Sequence, residues 1–516
     1  MKFIKYQLFL SLLVLCSICR PINGEDWPQF QHDQYRTGRT PDSVAPTYRI
    51  RWVWLGPSNT IRNHLSNSSW TGPDIYPSDV IGDKATLPTS VPFTLATGAQ
   101  PIIAAGKVFI GDMDGKVYGI NADDGSTLWT SSNTGGTVAS GAYGNGVVVF
   151  GSISGKIRGY NATNGALIWE VTTKGPITSA PVTNGTVVCV GSHDGHVYCR
   201  NITDGTGGWT SPFLGAQVVC GLAMDTDTVY TGAENMVFYA LRLSDGSIRA
   251  SRKVHGQSFN QEFPVVFSSY VFIEAAPTPI IGSEYVMENV MRDAPDYITE
   301  QDYILRWYQG DTNGGAWPDA SEDWRHLTVL NRSDLNEPFI VPVGPFEGCG
   351  TPPEPPVVDN QGRVLTCFKT KYPTVCNHVP FGTNYPIDIS AINLANGRRL
   401  RINEGVPYSG IWMWETDNLY GRSVGGNYLY LKQHFRGIQC INLTDNVYHY
   451  ISTEYSYRDG GDFSWVDINY KGNYDSGQRV PTTSISSMSS ARVAPAISGS
   501  AIYVNEYFCV SAIEHN

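Results

Sequence analysis

Acidic and aromatic side chains are concentrated in one stretch of the sequence, residues 284–350. Its carboxylates are followed by three tryptophans: Glu284, Glu288, Asp293, Asp296, Glu300 and Asp302, then Trp307, Trp317 and Trp324. Carboxylate oxygens are the ligands that Ca²⁺ prefers. The stretch could therefore hold Ca²⁺ or a sugar, or form a lid over a binding face. The alternative, which we favour, is a solvated insertion with a short helix around residues 321–330.

Other residues with metal-binding or catalytic potential lack the spacing that a site needs. Asp112 and Asp114, and likewise Asp225 and Asp227, alternate in sequence without the longer ligand series of an EF-hand, so we interpret them as turn residues. Four histidines show no paired spacing and are interpreted as surface or network residues: His193, His255, His378 and His434. No HExxH or CxxCH motif is present. Motifs therefore predict no catalytic residue.

Eight cysteines follow the first 24 residues, and an even number in an exported chain permits disulfides. None of their spacings is CxxC, which argues against a zinc site. The disulfide candidates are Cys189, Cys199, Cys349, Cys367 and Cys376, and the last three form the favoured group. Cys189 and Cys220 lie in valine-rich runs and could instead be small buried hydrophobic residues. The connectivity stays open.

Residues 1–24 have the pattern of a signal peptide, with Lys2 and Lys5 ahead of a short apolar stretch at residues 8–18. Cleavage after Gly24 or Cys19 would release a secreted protein, extracellular or periplasmic. Leu15 and Ile18 precede the two cysteines where a lipidation signal needs a small residue. We therefore expect neither a lipid anchor nor, from the remaining sequence, a membrane span.

The formal net charge of -11 argues against nucleic-acid binding, which relies on clustered lysine and arginine. Six Asn-x-Ser/Thr sequons would allow N-glycosylation in a eukaryotic host: Asn67, Asn161, Asn184, Asn201, Asn331 and Asn442. About that number would arise by chance in a chain this rich in serine and threonine. The sequons therefore do not identify the host.

The sequence contains a repeat of about 40 residues, and this repeat predicts the strands and turns that position the residues above. Three segments align without gaps: GDMDGKVYGINADDGSTLW from Gly111, GSISGKIRGYNATNGALIW from Gly151 and GSHDGHVYCRNITDGTGGW from Gly191. A fourth copy, GAENMVFYALRLSDGSIRA, starts at Gly232 and has Arg249 or Ala250 where tryptophan would stand. Each copy reads as strand, turn, strand, Asn/Asp-Gly turn and strand. Such a unit is typical of a propeller blade, which must stack on neighbours to bury both faces.

The turn and tryptophan of each copy resemble the docking motif of the PQQ-like β-propeller repeat family, which includes quinoprotein alcohol dehydrogenase-like and BamB-like members. The resemblance implies that Trp129, Trp169 and Trp209 lock neighbouring blades, together with the turn glycines Gly125, Gly165, Gly205 and Gly246. The Trp-Asp signature of WD40 repeats has no match. An N-terminal strand at residues 48–55 would complete the last blade, as in exported members of the family.

The resemblance leaves two functions open. Dehydrogenases of the family bind PQQ and Ca²⁺ on the propeller axis, and many carry a vicinal cysteine pair beside the cofactor. This sequence contains no adjacent cysteines, and no family ligand or base can be assigned to a residue here. We therefore favour a non-catalytic module without cofactor; the alternative is a PQQ- and Ca²⁺-dependent dehydrogenase of alcohols or sugars. A plugged axis would favour the module, and a convergent cluster of Glu, Asn, Asp and Arg would favour the enzyme.

The sequence thus predicts an all-β, eight-bladed propeller. Its organisation is a signal peptide (1–24), an N-terminal segment with the closing strand and a long loop (25–96), and the propeller proper (97–516) with the insertion at 284–350. We expect a monomer that binds a protein or glycan partner at its loop-bearing face.

Overall fold

A computed structural model describes most of the propeller region. The described residues are 24–46, 48–57, 59–62, 80–82, 95–96, 98–131, 135–260, 262–276, 289–317, 319, 324–344, 355–370, 387–402, 419–433, 437–445, 448–451, 455–457, 463–465, 493–505 and 509–515. Two of the disulfide candidates, Cys349 and Cys376, lie outside these residues, as does Asn67. The predicted signal peptide also lies outside them except for Gly24.

Antiparallel strands form eight consecutive blades, which confirms the predicted fold. Four strands precede the first blade: β1 (Arg39–Thr40), β2 (Tyr48–Trp54), β3 (Asn59–Arg62) and β4 (Val80–Gly82). Blade 1 comprises β5 (Ile102–Ala104), β6 (Lys107–Gly111), β7 (Val117–Asn121) and β8 (Thr127–Thr130). Blade 2 comprises β9 (Ala142–Gly144), β10 (Val147–Gly151), β11 (Lys156–Asn161) and β12 (Leu167–Thr172).

The next three blades follow the same order from the inner to the outer strand. Blade 3 comprises β13 (Val182–Thr183), β14 (Val187–Gly191), β15 (Val197–Asn201) and β16 (Trp209–Thr210). Blade 4 comprises β17 (Ala223–Met224), β18 (Thr228–Ala233), β19 (Val237–Arg242) and β20 (Ile248–Lys253). Blade 5 comprises β21 (Val265–Phe267), β22 (Tyr270–Glu274) and β23 (Leu327–Asn331).

The last three blades complete the ring. Blade 6 comprises β24 (Val357–Val358), β25 (Val364–Lys369), β26 (Ile387–Ile392) and β27 (Arg399–Arg401). Blade 7 comprises β28 (Leu419–Gly425), β29 (Tyr428–Gln433), β30 (Gly437–Asn442) and β31 (Tyr448–Ile451), and a separate hairpin of β32 (Tyr455–Tyr457) and β33 (Phe463–Trp465) follows. Blade 8 comprises β34 (Ala496–Ser498), β35 (Ala501–Asn505) and β36 (Val510–His515).

The N-terminal strand β2 closes the ring by pairing antiparallel with β36, as the sequence predicted. Strands β3 and β4 extend the same sheet outward. Because the two ends of the chain pair with each other, every blade lies between two neighbouring blades. The propeller therefore buries both faces of each sheet.

The connections divide the propeller into two ends. Connections between the first and second strands of a blade, and between its third and fourth, are short turns, and we name this end the turn face. The other connections lie at the opposite end, the loop face. The strands that flank residues 275–326, 370–386 and 402–418 end and begin at the loop face. Since each blade has antiparallel strands, this division follows from topology.

Three tryptophans of the outer strands bridge consecutive blades. The indole Nε1 atoms of Trp129, Trp169 and Trp209 donate hydrogen bonds to the carbonyl oxygens of Ala162, Ile202 and Leu243 in the next blade, at 3.1, 2.9 and 2.7 Å. Each of these carbonyls lies at the start of the turn that leads to the outer strand. Burial of an aromatic ring together with satisfaction of its N–H makes a strong inter-blade contact.

Glycines make room for each indole ring. A Cβ atom added to Gly159 would lie 2.3 Å from the Trp169 ring, and one added to Gly205 in the next blade would lie 2.7 Å from it. Gly205 also has a φ of 68°, which an L side chain adopts only at a cost. The tryptophan is therefore held between two glycines, one in its own blade and one in the neighbouring turn.

Trp52 of the closing strand makes the same contact with blade 1, which the sequence reasoning did not assign. Its Nε1 donates to the Ala122 carbonyl at 3.0 Å, and Ala122 occupies the turn position of Ala162 in blade 2. The signal was present in the sequence as a tryptophan in the predicted closing strand. The closing strand is thus docked in the same way as the outer strands of the repeats.

Blade 4 replaces the tryptophan–glycine pair with a different combination. Ala250 pairs with Ala240 in the register where Trp129 pairs with Gly119, so Ala250 rather than Arg249 occupies the tryptophan position. In the following turn Leu335 occupies the glycine position with a φ of 57°, and its buried side chain belongs to the same core cluster as Ala250. A small residue and a large one have exchanged places across this interface.

Blade 3 contains a disulfide between Cys189 and Cys199, which face each other on β14 and β15 with their Cα atoms 4.1 Å apart. Cys199 occupies the position of Gly119 and Gly159 in the preceding blades, opposite the docking tryptophan. Cys367 is buried in β25 and Cys220 is a buried thiol just before β17. The favoured group of Cys349, Cys367 and Cys376 is not tested, because two of its members lie outside the described residues.

The expected helix around residues 321–330 is wrong. Residues 327–331 form the third strand of blade 5, because Leu327, Val329 and Leu330 are buried between the sheets. The helix of the insertion is instead α1 (Tyr297–Tyr308), which Asp296 caps by accepting a hydrogen bond from Thr299 N. A helical turn at residues 289–292 precedes α1, and a 3₁₀ turn at Asn313–Gly315 follows it. The sequence did not show the apolar stripe that indicates a packed helix, because two of the five buried positions of α1 are Glu300 and Gln301.

Replacement of a docking tryptophan should destabilise the ring. We expect Trp169→Ala to lower the free energy of unfolding by about 3 kcal/mol, because it removes a buried ring and leaves the Ile202 carbonyl without its donor. Denaturant unfolding would measure the loss. Leu167→Ala is the matched control on the same strand, since Leu167 is 48% exposed and should change stability by less than about 0.5 kcal/mol. Equal effects of the two variants would contradict the docking role.

Candidate functional site

The N-terminal segment before the closing strand lies at the propeller axis. We name residues 25–42 the axial strap. Eight of its eighteen residues are buried and only two are exposed, although the segment has only one two-residue strand, β1, which pairs parallel with β28. The strap therefore has to satisfy its backbone groups by bonds to the inner edges of the blades.

The strap contacts the inner edge of all eight blades in order. In blades 1 and 2 its partners are Ile103 and Tyr143, and in blade 3 the Gln29 side chain exchanges two hydrogen bonds with the Thr183 backbone, at 3.0 and 2.9 Å. In blades 4 to 7 the backbone N–H groups of Met224, Val266, Val358 and Val424 donate to the strap carbonyls of Gln34, Tyr35, Thr37 and Gly38, at 2.7 to 2.9 Å.

The ends of the strap meet at blade 8. Gly499 N and Glu25 N both donate to the Asp42 carboxylate, at 2.7 and 2.6 Å, and Ser498 Oγ donates to the Glu25 carbonyl at 2.7 Å. The strap thus forms a complete circuit inside the ring of inner strands. At this level the inner edges of the ring therefore face the chain's own residues.

Arg36 fixes the middle of the strap. Its guanidinium donates to the carbonyls of Phe30, Leu222 and Pro181, at 2.5, 2.7 and 2.7 Å, and so joins the strap to blades 3 and 4. Burial lowers the pKa of Arg36 to about 9 from its ordinary value, with Asp33 opposing the shift. A guanidinium can satisfy several carbonyls at once in a fixed planar geometry, which a lysine cannot do.

Gln100 has the corresponding role near the start of the strap. Its Oε1 accepts from Trp27 Nε1 at 3.0 Å and from Gln31 N at 2.8 Å, while its Nε2 donates to the Ala494 carbonyl of blade 8 at 2.8 Å. The buried Gln100 side chain therefore ties the strap to both sides of the ring closure. Neither Arg36 nor Gln100 has a motif that could have identified it in the sequence.

A second buried polar cluster lies where α1 packs on blade 6. The fully buried Glu300 carboxylate accepts from Arg399 Nη2 at 3.0 Å and from Thr370 Oγ1 at 2.8 Å. The Arg399 guanidinium lies 3.8 Å from the centre of the Phe368 ring. Gln301 accepts from Arg399 N at 2.8 Å and donates to Arg399 O at 3.3 Å, so α1 covers the outer edge of β27.

The carboxylates of the insertion do not converge on a common point. Glu300 pairs with Arg399, Asp302 with Arg398 at 2.5 Å, and Asp293 with Arg292 at 3.4 Å. Asp296 caps α1, and Glu284 and Glu288 lie outside the described residues. The tryptophans Trp307 and Trp317 are buried in a small core with Ile304, and Trp324 packs against it. In its described part the insertion is therefore a packed unit in which Glu300 and Asp302 pair with arginines of blade 6, Asp293 pairs with a neighbouring arginine of the insertion, and Asp296 caps α1.

His326 is a buried histidine at the loop face of blade 5, immediately before β23. Burial, followed by the positive fields of Arg422 and Arg325, lowers its pKa to about 3. Arg325 itself bonds to His255 Nε2 at 2.9 Å and pairs with Glu337. His193, another of the histidines noted in the sequence, bonds to Thr178 Oγ1 at 2.8 Å, and His378 and His434 lie outside the described residues.

The described residues contain no cluster of acidic, histidine and cysteine side chains that could share a Ca²⁺ ion. Such an ion needs several oxygen ligands around one point. At the axis, the strap presents buried Trp27 and the carbonyl-bound Arg36. Asp112 and Asp225 serve as local acceptors in their turns, with bonds to Lys116 N and Thr228 N at 2.7 and 2.9 Å.

The pH dependence of stability should report on His326. Because its folded pKa lies below the unfolded value of about 6.5, the unfolded state binds the extra proton, and stability falls as the pH falls from about 6.5 towards 3. Between pH 6.5 and pH 4 this amounts to about 3 kcal/mol. We expect His326→Asn to lose correspondingly less stability in urea titrations over this interval. Identical losses in both proteins would contradict the assignment.

Substitution of Arg36 should release the strap. Arg36→Met leaves three buried carbonyls without their donor, and we expect a loss of about 3 kcal/mol in unfolding free energy together with faster protease cleavage between residues 25 and 42. Arg39→Met is the control, because half-buried Arg39 makes one backbone bond, to the Asp359 carbonyl at 2.8 Å. A strap cleaved no faster in Arg36→Met than in Arg39→Met would show that Arg36 does not hold it.

Comparisons with known proteins agree with this architecture. Residues 85–264 match the family model described as outer membrane protein assembly factor BamB. The structure resembles the quinohemoprotein alcohol dehydrogenase of Comamonas testosteroni, with a TM-score of 0.54 at 11% identity over 95% of this chain and 80% of that one. It also matches BamB of Moraxella catarrhalis, with a TM-score of 0.47 at 15% identity over 83% of this chain and all of that one.

No curated protein sequence matches the chain. At these identities the structural likeness establishes the fold alone. The family match covers residues 85–264, which include the repeats and the docking tryptophans. The chain is therefore an eight-bladed β-propeller, and its residues 85–264 are similar to the BamB-type PQQ-like repeat family.

Proposed function

We propose that this protein is an exported, non-catalytic propeller that binds a protein partner at its loop face. The axial strap is the observation that carries the proposal. In a cofactor-dependent propeller the axis must receive the cofactor, whereas here the chain's own residues 25–42 circle the axis and bond to every blade. Because this contact holds the ring together, displacing the strap to admit a cofactor would break hydrogen bonds in all eight blades.

The loop face has the features of a recognition surface. The strands that flank three long connections, residues 275–326, 370–386 and 402–418, end and begin at this face. Binding residues of rigid scaffolds commonly lie on such connections. Exposed apolar side chains lie on it in three consecutive blades: Met113, Ile153 and Phe213, with exposures of 42, 46 and 60%. Exposed apolar groups of this kind are typical of protein-binding surfaces. The insertion with α1 emerges at the same end of blade 5.

Export is part of the proposal and is supported by the signal-peptide pattern of residues 1–24. The described part of the chain contains no helix long and apolar enough to cross a membrane. The Cys189–Cys199 disulfide is also consistent with an oxidising compartment. We propose that the mature chain acts as a monomer after cleavage near Gly24.

A cofactor titration tests the non-catalytic assignment. The mature protein is titrated with PQQ and Ca²⁺ while cofactor absorbance and dye-linked oxidation of alcohols and sugars are followed. We expect no saturable binding at micromolar cofactor and no turnover, because the strap lines the inner edges of the blades. Saturable binding with turnover would make the protein a quinoprotein dehydrogenase and overturn the proposal.

A further inference from the structure

Five sequons fall on the turn face of the propeller. Four of their asparagines end the third strand of a blade, and one lies in a turn between first and second strands: Asn161, Asn201, Asn331 and Asn442, and Asn184. The two kinds of turn are adjacent in space. The residues that follow Asn161, Asn201 and Asn442 donate backbone hydrogen bonds to Gly146, Thr186 and Asn427, each in the first turn of the same blade, at 2.9, 3.0 and 2.8 Å. No described sequon lies on the loop face.

In four of the five asparagines the side-chain oxygen has a local role, and Asn442 Nδ2 also donates to Asp445 Oδ2 at 3.2 Å. Asn161 Oδ1 accepts from Thr163 N at 2.8 Å, Asn201 Oδ1 from Thr203 N at 3.0 Å, and Asn442 Oδ1 from Thr444 N at 2.9 Å. These bonds use the oxygen of the side chain to form an Asx turn. Asn184 Oδ1 does the same towards Thr186 N at 3.0 Å, and the Asn184 side chain is exposed.

The turn itself does not require the hydroxyl residue of the sequon. In blade 1 the equivalent turn has Asp123 at that position, and Asn121 Oδ1 accepts from Asp123 N at 2.8 Å. In blade 6 the position is Ala395, with the same bond from Asn393 at 3.0 Å. The hydroxyl residues of the sequons are exposed: Thr163, Thr186, Thr203, Ser333 and Thr444. The turn structure therefore accounts for the asparagine of each sequon. It does not account for the serine or threonine two residues later.

We propose that the turn face carries N-linked oligosaccharides at these five asparagines. In the transfer, Asn Nδ2 forms a bond to C1 of a sugar borne by a lipid pyrophosphate. The C1–O bond breaks, its electron pair leaves with the pyrophosphate, and Nδ2 loses one proton. The glycans would cover the turn face and leave the loop face as the free recognition surface. This inference rests on the export proposed above.

The direct test uses the exported protein from the organism that makes it. Treatment with an N-glycosidase in ¹⁸O water converts each glycosylated asparagine to labelled aspartate, which peptide mass spectrometry locates. We expect labelling at the five positions and none at Asn121 or Asn393. A mature chain that begins near residue 25 but carries no label at any of the five would overturn the glycan proposal alone. An uncleaved chain retained in the cell would overturn export.

Matched variants separate glycosylation from folding. In a eukaryotic secretory host, Thr163→Ala should remove one glycan while it keeps Asn161 and its Asx turn, and Thr163→Ser should retain the glycan. Asp123→Thr should add one glycan at Asn121, because the blade 1 turn then has both the asparagine geometry and the hydroxyl. Gel mobility before and after N-glycosidase measures each change of one glycan. Failure of Thr163→Ala to remove a glycan, or of Asp123→Thr to add one, would contradict the proposal.

Discussion

The contact between neighbouring blades is the constraint on which the whole structure depends. A single four-stranded sheet exposes two apolar faces, and it becomes stable only when both are covered. The contact between tryptophan and glycine supplies this cover with a defined geometry. Each indole of Trp129, Trp169 and Trp209 lies against the turn glycine of the next blade and donates through Nε1 to a carbonyl of that turn. Trp52 extends the same contact across the point where the two ends of the chain meet.

Ring closure creates a second problem at the axis, where the inner edges of eight sheets face one another without partners. The axial strap resolves it by offering carbonyls and side-chain amides to each inner strand in turn. Arg36 and Gln100 are buried because each satisfies several polar groups that would otherwise be left unpaired. The same solution places residues 25–42 along the inner edges of the blades, where they stabilise the ring.

The insertion shows how charge can be structural. Glu300 and Arg399 are both buried, and removal of either would leave an uncompensated charge in the interior. Their pairing, with Gln301 on the backbone of β27, fixes α1 against blade 6 and protects an outer edge. The acidic appearance of this stretch in the sequence therefore indicates internal partners more than a ligand site.

The sequence by itself determined the blade, because the 40-residue period, the Asp-Gly and Asn-Gly turns and the tryptophans are local signals with a local physical meaning. It also indicated the closing strand and the eight-bladed ring. Only the tertiary structure decided which long-range partners the buried polar residues have. The buried roles of Arg36, Gln100 and Glu300 were not visible in the sequence, since their partners Leu222, Ala494 and Arg399 lie 186, 394 and 99 residues away. The exchange of Trp and Gly for Ala250 and Leu335 was hidden for the same reason: complementary volume is a property of two blades, and no single segment contains it.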